Sequence, residues 1–102
     1  MNNDSVVIVS AKRTPMGGFM GGLSTLNACE LGASAITAAL EEAGQDKPVI
    51  DEVIMGCANQ AGEDNRNVAR MASLLAGLPD TVPAITVNRL CASGLAAVHI
   101  AA

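Results

Sequence analysis

Residues 83–102, PAITVNRLCASGLAAVHIAA, pass from a strand pattern into the opening of a helix, and that passage decides the fold class. Pro83 opens the run AITVN, in which Ile85 and Val87 alternate as strand residues do. Ser93 and Gly94 then lead into the apolar LAAVHIAA. The same order recurs upstream. At 53–57, VIMGC follows Asp51 and Glu52 and predicts a strand ending near Cys57, broken by the polar NQAGED. Val68, Met71, Ala72 and Leu75 then keep helical spacing, with Asp64 or Asn65 as caps and Gly77 plus Pro79 as the stop. Further upstream, the β-branched run Val6–Val9 predicts a first strand, buried on both faces. A Gly-rich loop, AKRTPMGGFMGGLST, separates it from a helix over 27–43. On that helix Cys29, Ala33, Ile36, Leu40 and Ala43 share one face, with Ser24, Thr25 or Asn27 as cap and Gly44 as terminator.

Strand, helix, strand, helix, strand, helix is the order of an α/β layered domain with right-handed crossovers between parallel strands. Residues 1–102 carry no internal repeat and no low-complexity linker, so they read as one partial domain. A chain of 102 residues has a modest core, burying about 60 to 65% of its unfolded surface. Half of the residues are hydrophobic but only 1% are aromatic, so small aliphatics fill that core. From Leu95 to Ala102 the only polar side chain is His99, which predicts a helix covered on all sides by something larger. The final carbonyls also find no capping residue, and the reading is of an incomplete domain.

The formal charge of -4, without a Lys/Arg stripe, argues against a nucleic-acid partner. No stretch approaches the ~18 to 20 apolar residues of a membrane span. The start MNNDSVVIVS lacks the basic, long apolar pattern of a signal peptide, so the expected location is the cytoplasm. Cys29, Cys57 and Cys91 are an odd number, with neither C-x-x-C nor Cys/His spacing, so neither a disulfide framework nor a metal site is indicated.

Cys91, in NRLCASGL between strand and helix, is the residue best placed for chemistry. A thiol at a helix N-terminus faces unpaired amides and the positive end of the macrodipole, which favour the thiolate and can stabilise a developing oxyanion. Ala92, Ser93 and Gly94 are small enough to let a bulky thioester approach. On local pattern alone an ordinary packed cysteine explains the position equally well. Cys29, on the apolar face of its helix, is expected to be structural, and Cys57 to pack at its strand end. His99 lies eight residues beyond Cys91, about 12 Å along a helix, and is expected to be a satisfied core or interface residue. Asp64, Arg66 and Arg70 read as a solvated helix face. The pairs Gly17-Gly18 and Gly21-Gly22 lack the phosphate-loop patterns and are expected to serve a tight loop.

Three segments in order, VVIVSAKRTPMGGF, GCANQAGEDNRNVARMASLLAGLP and TVNRLCASGL, resemble the thiolase family over nearly the whole chain. The resemblance implies a layered α/β/α fold, here the incomplete first half of a duplicated architecture. It implies an acyltransferase that cleaves 3-ketoacyl-CoA to acyl-CoA and acetyl-CoA, or condenses two acetyl-CoA molecules. Cys91 matches the family's acylated cysteine, the covalent centre of a ping-pong reaction. The middle segment looks most like thiolases acting on 3-oxoadipyl-CoA in aromatic breakdown. Ala92 departs from the Gly that many members carry at that position.

Coenzyme A thioesters are then substrates, no resident cofactor or metal is implied, and the complete protein is expected to be a homo-oligomer. The family's activating His, its second Cys and the loop region that holds much of coenzyme A have no counterpart in residues 1–102. Turnover by these residues alone is therefore not expected. Two further family strands intervene, in sheet order, between the 6–9 strand and the other two, so a gap in the sheet is expected. The competing class is a non-enzymatic truncated product or interaction module with an exposed apolar surface. A thiol-redox protein is disfavoured, since no second cysteine neighbours Cys91 or Cys57 in sequence.

Overall fold

The computed structural model describes residues 4–44, 49–63 and 66–102. Its elements are α1 (Ala28–Ala43), β1 (Val53–Gly56), α2 (Val68–Leu75), β2 (Ala84–Val87) and α3 (Ser93–Ala101). β1 and β2 pair in parallel, Val53 beside Ala84 and Gly56 beside Val87, as the alternation of elements requires. α2 packs on α1 and on both strands, and α3 packs chiefly on β1.

α1 begins where its cap chemistry dictates. The Asn27 side chain accepts from the Glu30 amide at 2.9 Å, and the Glu30 carboxylate accepts in return from the Asn27 amide. Gly44, at φ 69°, ends the helix in the left-handed conformation that glycine takes without steric cost. Cys29 and Ala33 are buried, as their helical spacing predicts.

α2 differs from its expected form in two ways. Its cap is Asn67, whereas the expected caps Asp64 and Asn65 lie outside the described residues. The face it buries is Val68, Ala69, Ala72 and Ser73, followed by Ala76, while Met71 and Leu75 are exposed. Small residues win that face because the layers approach closely. A Cβ added to Gly32 of α1 would lie 3.0 Å from the Ala72 Cβ and 3.0 Å from Met55 Cε of β1. Ser73 tolerates burial by donating its hydroxyl proton to the Arg70 carbonyl at 2.8 Å. Gly77 (φ 81°) donates to Leu74, and Leu78 donates to Ser73 at 3.1 Å, a Schellman termination that tucks Leu78 into the core.

The expected first strand does not form. Val6–Val9 joins no ladder among the described residues, and its side chains are 65 to 81% exposed. An open groove beside β1 is lined by Val7, Ile54 and Ile100. A strand is defined by its ladder, and a β-branched run without a neighbour to pair with has none. The loop that follows behaves as its glycines suggest, with Gly21 donating to Gly18 at 2.9 Å and Ser24 to Gly21 at 3.0 Å in successive tight turns.

Leu95, Val98 and Ile100 on α3 are exposed, Leu95 to 75%. The apolar face read from the sequence is thus present and uncovered among the described residues. The radius of gyration is 14.0 Å, against about 13 Å for a compact chain of this length.

Candidate active site at the strand–helix turn of Cys91

β1 and β2 end side by side, so Cys57 and the segment Asn88–Cys91 leave the sheet at its carboxyl end. That end is where open α/β sheets gather ligands. The Cys57 amide extends the ladder by one bond, donating to the Val87 carbonyl at 3.0 Å.

The turn that follows β2 is held almost entirely by polar bonds. Leu90 stands at φ 52°, in the left-handed region that a leucine rarely adopts. Its amide donates to Asn88 Oδ1 at 2.9 Å, and Asn88 Nδ2 donates to the Ala58 carbonyl at 3.1 Å, tying the turn to the loop after β1. Ser93, buried at the first turn of α3, accepts from the Arg89 amide at 2.8 Å and donates to the Leu90 carbonyl at 2.7 Å. The amides of Ala92 and Ser93 close the turn onto the Arg89 and Leu90 carbonyls at 3.1 Å each.

Cys91 emerges from this turn exposed, two residues before α3. Ala92 occupies the cap position of α3 and makes no side-chain cap bond. No side chain therefore caps the start of α3 beside the thiol, where the positive end of the macrodipole lies.

Gly56 fixes where α3 starts. A Cβ at that position would stand 2.2 Å from the Ser93 carbonyl carbon and 2.5 Å from the Gly94 nitrogen. Backbone thus rests directly on backbone, and the strand end dictates the position of Cys91. The signal was present in VIMGC, since a glycine within a strand pattern marks close approach of another chain segment. Asn88 and Ser93 carried no comparable mark, because their partners are backbone groups of a turn that the sequence does not reveal.

The remaining candidates separate clearly. Cys29 is buried on α1, in accord with a structural role. Cys57 is half-buried; its Sγ donates to the Asn59 carbonyl at 3.4 Å and it lines a small pocket with Ala28, Gln60, Glu63 and Val68. His99 is exposed on α3 beside Arg89 and Ile100, so it is no core histidine. It stands on the face of α3 that no described residue covers, opposite the buried Ser93 and Ala97.

Arg66 is exposed as expected, but Arg70 is not part of a solvated face. Its guanidinium donates to the Val82 and Asp80 carbonyls at 3.0 Å each, clamping the connection between α2 and β2. Two carbonyls turned inward by the loop offer this donor fork what water would otherwise supply. Among the described residues no cluster of His, Cys, Asp and Glu could hold a metal ion, and no helix is long and apolar enough to cross a membrane.

The family profile described as "Thiolase, N-terminal domain" matches residues 6–102. Over 97 residues the chain is 58% identical to the beta-ketoadipyl-CoA thiolase of Pseudomonas aeruginosa, covering 94% of this chain and 24% of that protein. It is 56% identical over 91 residues to the 3-oxoadipyl-CoA/3-oxo-5,6-dehydrosuberyl-CoA thiolase of Escherichia coli, covering 88% and 23% of the two chains. An acetyl-CoA acetyltransferase of Thiocystis violacea is 46% identical over 99 residues, with 97% and 25% covered. The chain thus spans about a quarter of the length of these curated relatives. With its α/β order, its parallel strands and a cysteine at the turn into α3, the chain belongs to the thiolase family, matching the family's N-terminal domain over residues 6–102.

Proposed function

We propose that this chain supplies the nucleophile of a thiolase, with Cys91 as the acyl acceptor and 3-oxoadipyl-CoA or a closely similar 3-ketoacyl-CoA as substrate. One observation carries the reading: among the three cysteines, only Cys91 is exposed, at an uncapped helix start on the carboxyl end of the sheet. The small side chains of Ala92 and Gly94 leave room for a thioester, and the names of the relatives support the substrate class.

In the cleavage direction the Cys91 thiol gives up its proton to a base and its sulfur attacks the 3-keto carbon. The C2–C3 bond then breaks, its electron pair passing to the acetyl-CoA fragment, which is protonated and leaves as acetyl-CoA. The acyl group remains on Cys91 as a thioester. Free coenzyme A, deprotonated as it attacks, takes the acyl group, and Cys91 regains its proton. His99 lies six residues into α3 from Ser93, about 9 Å along the axis from the helix start, and does not serve as the base in this proposal. The base, the acid and most of the coenzyme A cradle belong to the complete enzyme, a cytoplasmic homo-oligomer in this proposal. Residues 1–102 alone therefore do not turn over.

Loss of the 3-ketoacyl thioester absorbance is followed with the complete protein and with residues 1–102. Coenzyme A-dependent cleavage by the complete protein, greater on 3-oxoadipyl-CoA than on acetoacetyl-CoA, is expected, with none by the shorter chain. Absence of cleavage by the complete protein overturns the activity, and steady turnover by residues 1–102 overturns the division of the site.

The exposure of Val6–Val9, Leu95 and Val98 favours one further reading, a non-enzymatic module that binds a partner through this apolar surface. That reading gains ground only if the complete protein lacks cleavage activity.

A further inference from the structure

We propose that Asn88 and Ser93 are positioning residues, which hold Leu90 in its left-handed conformation and so present the Cys91 thiol at the carboxyl end of the sheet. The inference rests on the reading of Cys91 as nucleophile and adds the device that aims it.

Leu90 is the unusual element. A leucine at φ 52° is sterically disfavoured, and this one gains little from burial, being 69% exposed. Its conformation is therefore imposed by what its backbone touches. Its N–H is taken by Asn88 Oδ1 at 2.9 Å. Its carbonyl receives both the Ser93 hydroxyl at 2.7 Å and the Ser93 amide at 3.1 Å. The residue before it is held as well, the Arg89 amide donating to Ser93 Oγ at 2.8 Å.

Both clamps are themselves anchored. Asn88 donates to the Ala58 carbonyl at 3.1 Å, and the backbone of Ser93 sits where a Cβ on Gly56 would fall 2.2 Å from its carbonyl carbon. The turn is thus tied twice to the end of β1 and its following loop. If either clamp is removed, Leu90 relaxes toward negative φ, and the peptide that follows it, which carries Cys91, rotates with it. A glycine at position 90 would take the left-handed conformation without a clamp. The proposal therefore makes a prediction that a packing role for Ser93 does not.

The test uses the complete protein carrying Ser93→Ala, Asn88→Ala, and each of these combined with Leu90→Gly. Two quantities are read: the rate at which iodoacetamide alkylates Cys91, followed by mass spectrometry of its peptide, and kcat and KM for thioester cleavage. Ser93→Ala and Asn88→Ala should each slow alkylation about tenfold and lower kcat in proportion, with KM within about twofold of wild type. Adding Leu90→Gly should restore at least half of the lost rate on a logarithmic scale. Unchanged alkylation in both single variants, or double variants as slow as the single ones, overturns the proposal. Asn88 is exposed, so its variant keeps the test available if Ser93→Ala does not fold. Alkylation reports the turn without assuming any acyl chemistry. A failure of the nucleophile reading instead appears separately, as normal clamp behaviour in a protein that lacks thioester cleavage.

Discussion

α2 and α3 begin against the same two strands, and they begin in opposite ways. At α2 each early amide meets a side chain: Val68 donates to Gln60 at 2.9 Å, Ala69 to Thr86 at 3.0 Å and Arg70 to Asn67 at 3.2 Å. Asn67 also accepts from the Thr86 hydroxyl at 2.7 Å and donates to the Ala84 carbonyl at 3.0 Å, so the helix end is stitched to β2. At α3 no side chain caps the helix, and the polar side chains nearby hold the preceding turn instead. The sealed end fixes the architecture. The open end leaves a helix dipole and a thiol facing outward, which is what an acyl-transfer centre needs.

The largest effect should come from asking the open side to stand alone. Isolated residues 1–102 expose Val6–Val9 and the outer face of α3, and each such aliphatic left in water forgoes roughly 1.5 to 3 kcal/mol of burial. We expect self-association or a loosely packed state in size-exclusion chromatography with amide hydrogen exchange. A monomeric peak with strongly protected strand amides would show that the open side needs no cover.

Next in size is Gly56→Ala in the complete protein. The added Cβ meets backbone that cannot swing aside, so about 3 kcal/mol of stability should be lost in urea unfolding, and Cys91 should lose reactivity with it. Wild-type stability in this variant would mean that α3 does not rest on the strand end. Asn67→Ala tests the sealed end. It removes the α2 cap and leaves the Ala84 carbonyl without its donor, costing about 2 kcal/mol, while alkylation of Cys91 stays within about twofold of wild type. A tenfold fall in that rate would couple the two helix starts and undo the contrast.

The smallest effect belongs to the exposed pair Lys12–Glu42, at 2.5 Å. The Lys12 ammonium, hydrogen-bonded to the Glu42 carboxylate, holds its pKa below the ordinary 4.5. A lowered folded-state pKa means that the pair's contribution is present above pH 4.5 and fades as pH falls through the lowered value. At neutral pH Lys12→Ala should leave the midpoint of urea unfolding unchanged. A clear drop would show that the N-terminal segment is fastened to α1 more firmly than its exposure implies.

What the sequence disclosed follows the range of the forces involved. Asn27, Glu30 and Gly44 bound α1 through contacts within four residues, and such local chemistry reads directly. The runs 53–56 and 84–87 became strands because each supplies the other's ladder. Val6–Val9 is more β-branched than either run and has no ladder partner among the described residues, so propensity alone does not make a strand there. Of the α2 face that spacing predicts, Val68 and Ala72 are buried and Met71 and Leu75 are not, because hydrophobic spacing ignores how near α1 comes at Gly32. Arg70 departs from the solvated face its spacing predicts because its partners, the Asp80 and Val82 carbonyls, turn inward only once the loop is built. Cys91 was legible as a candidate from its place between strand and helix. The clamps around it were not, since a left-handed Leu90 leaves no trace in composition or spacing.

The central claim, that Cys91 is the acyl acceptor, is tested most directly by locating the adduct. The complete protein is incubated with acetyl-CoA without free coenzyme A, quenched in acid, digested and mapped by mass spectrometry. A mass increase of one acetyl group on the peptide containing Cys91, absent from Cys91→Ser and removed by added coenzyme A, is the predicted result. An acetyl adduct on Cys57 or Cys29 that persists in Cys91→Ser would contradict it.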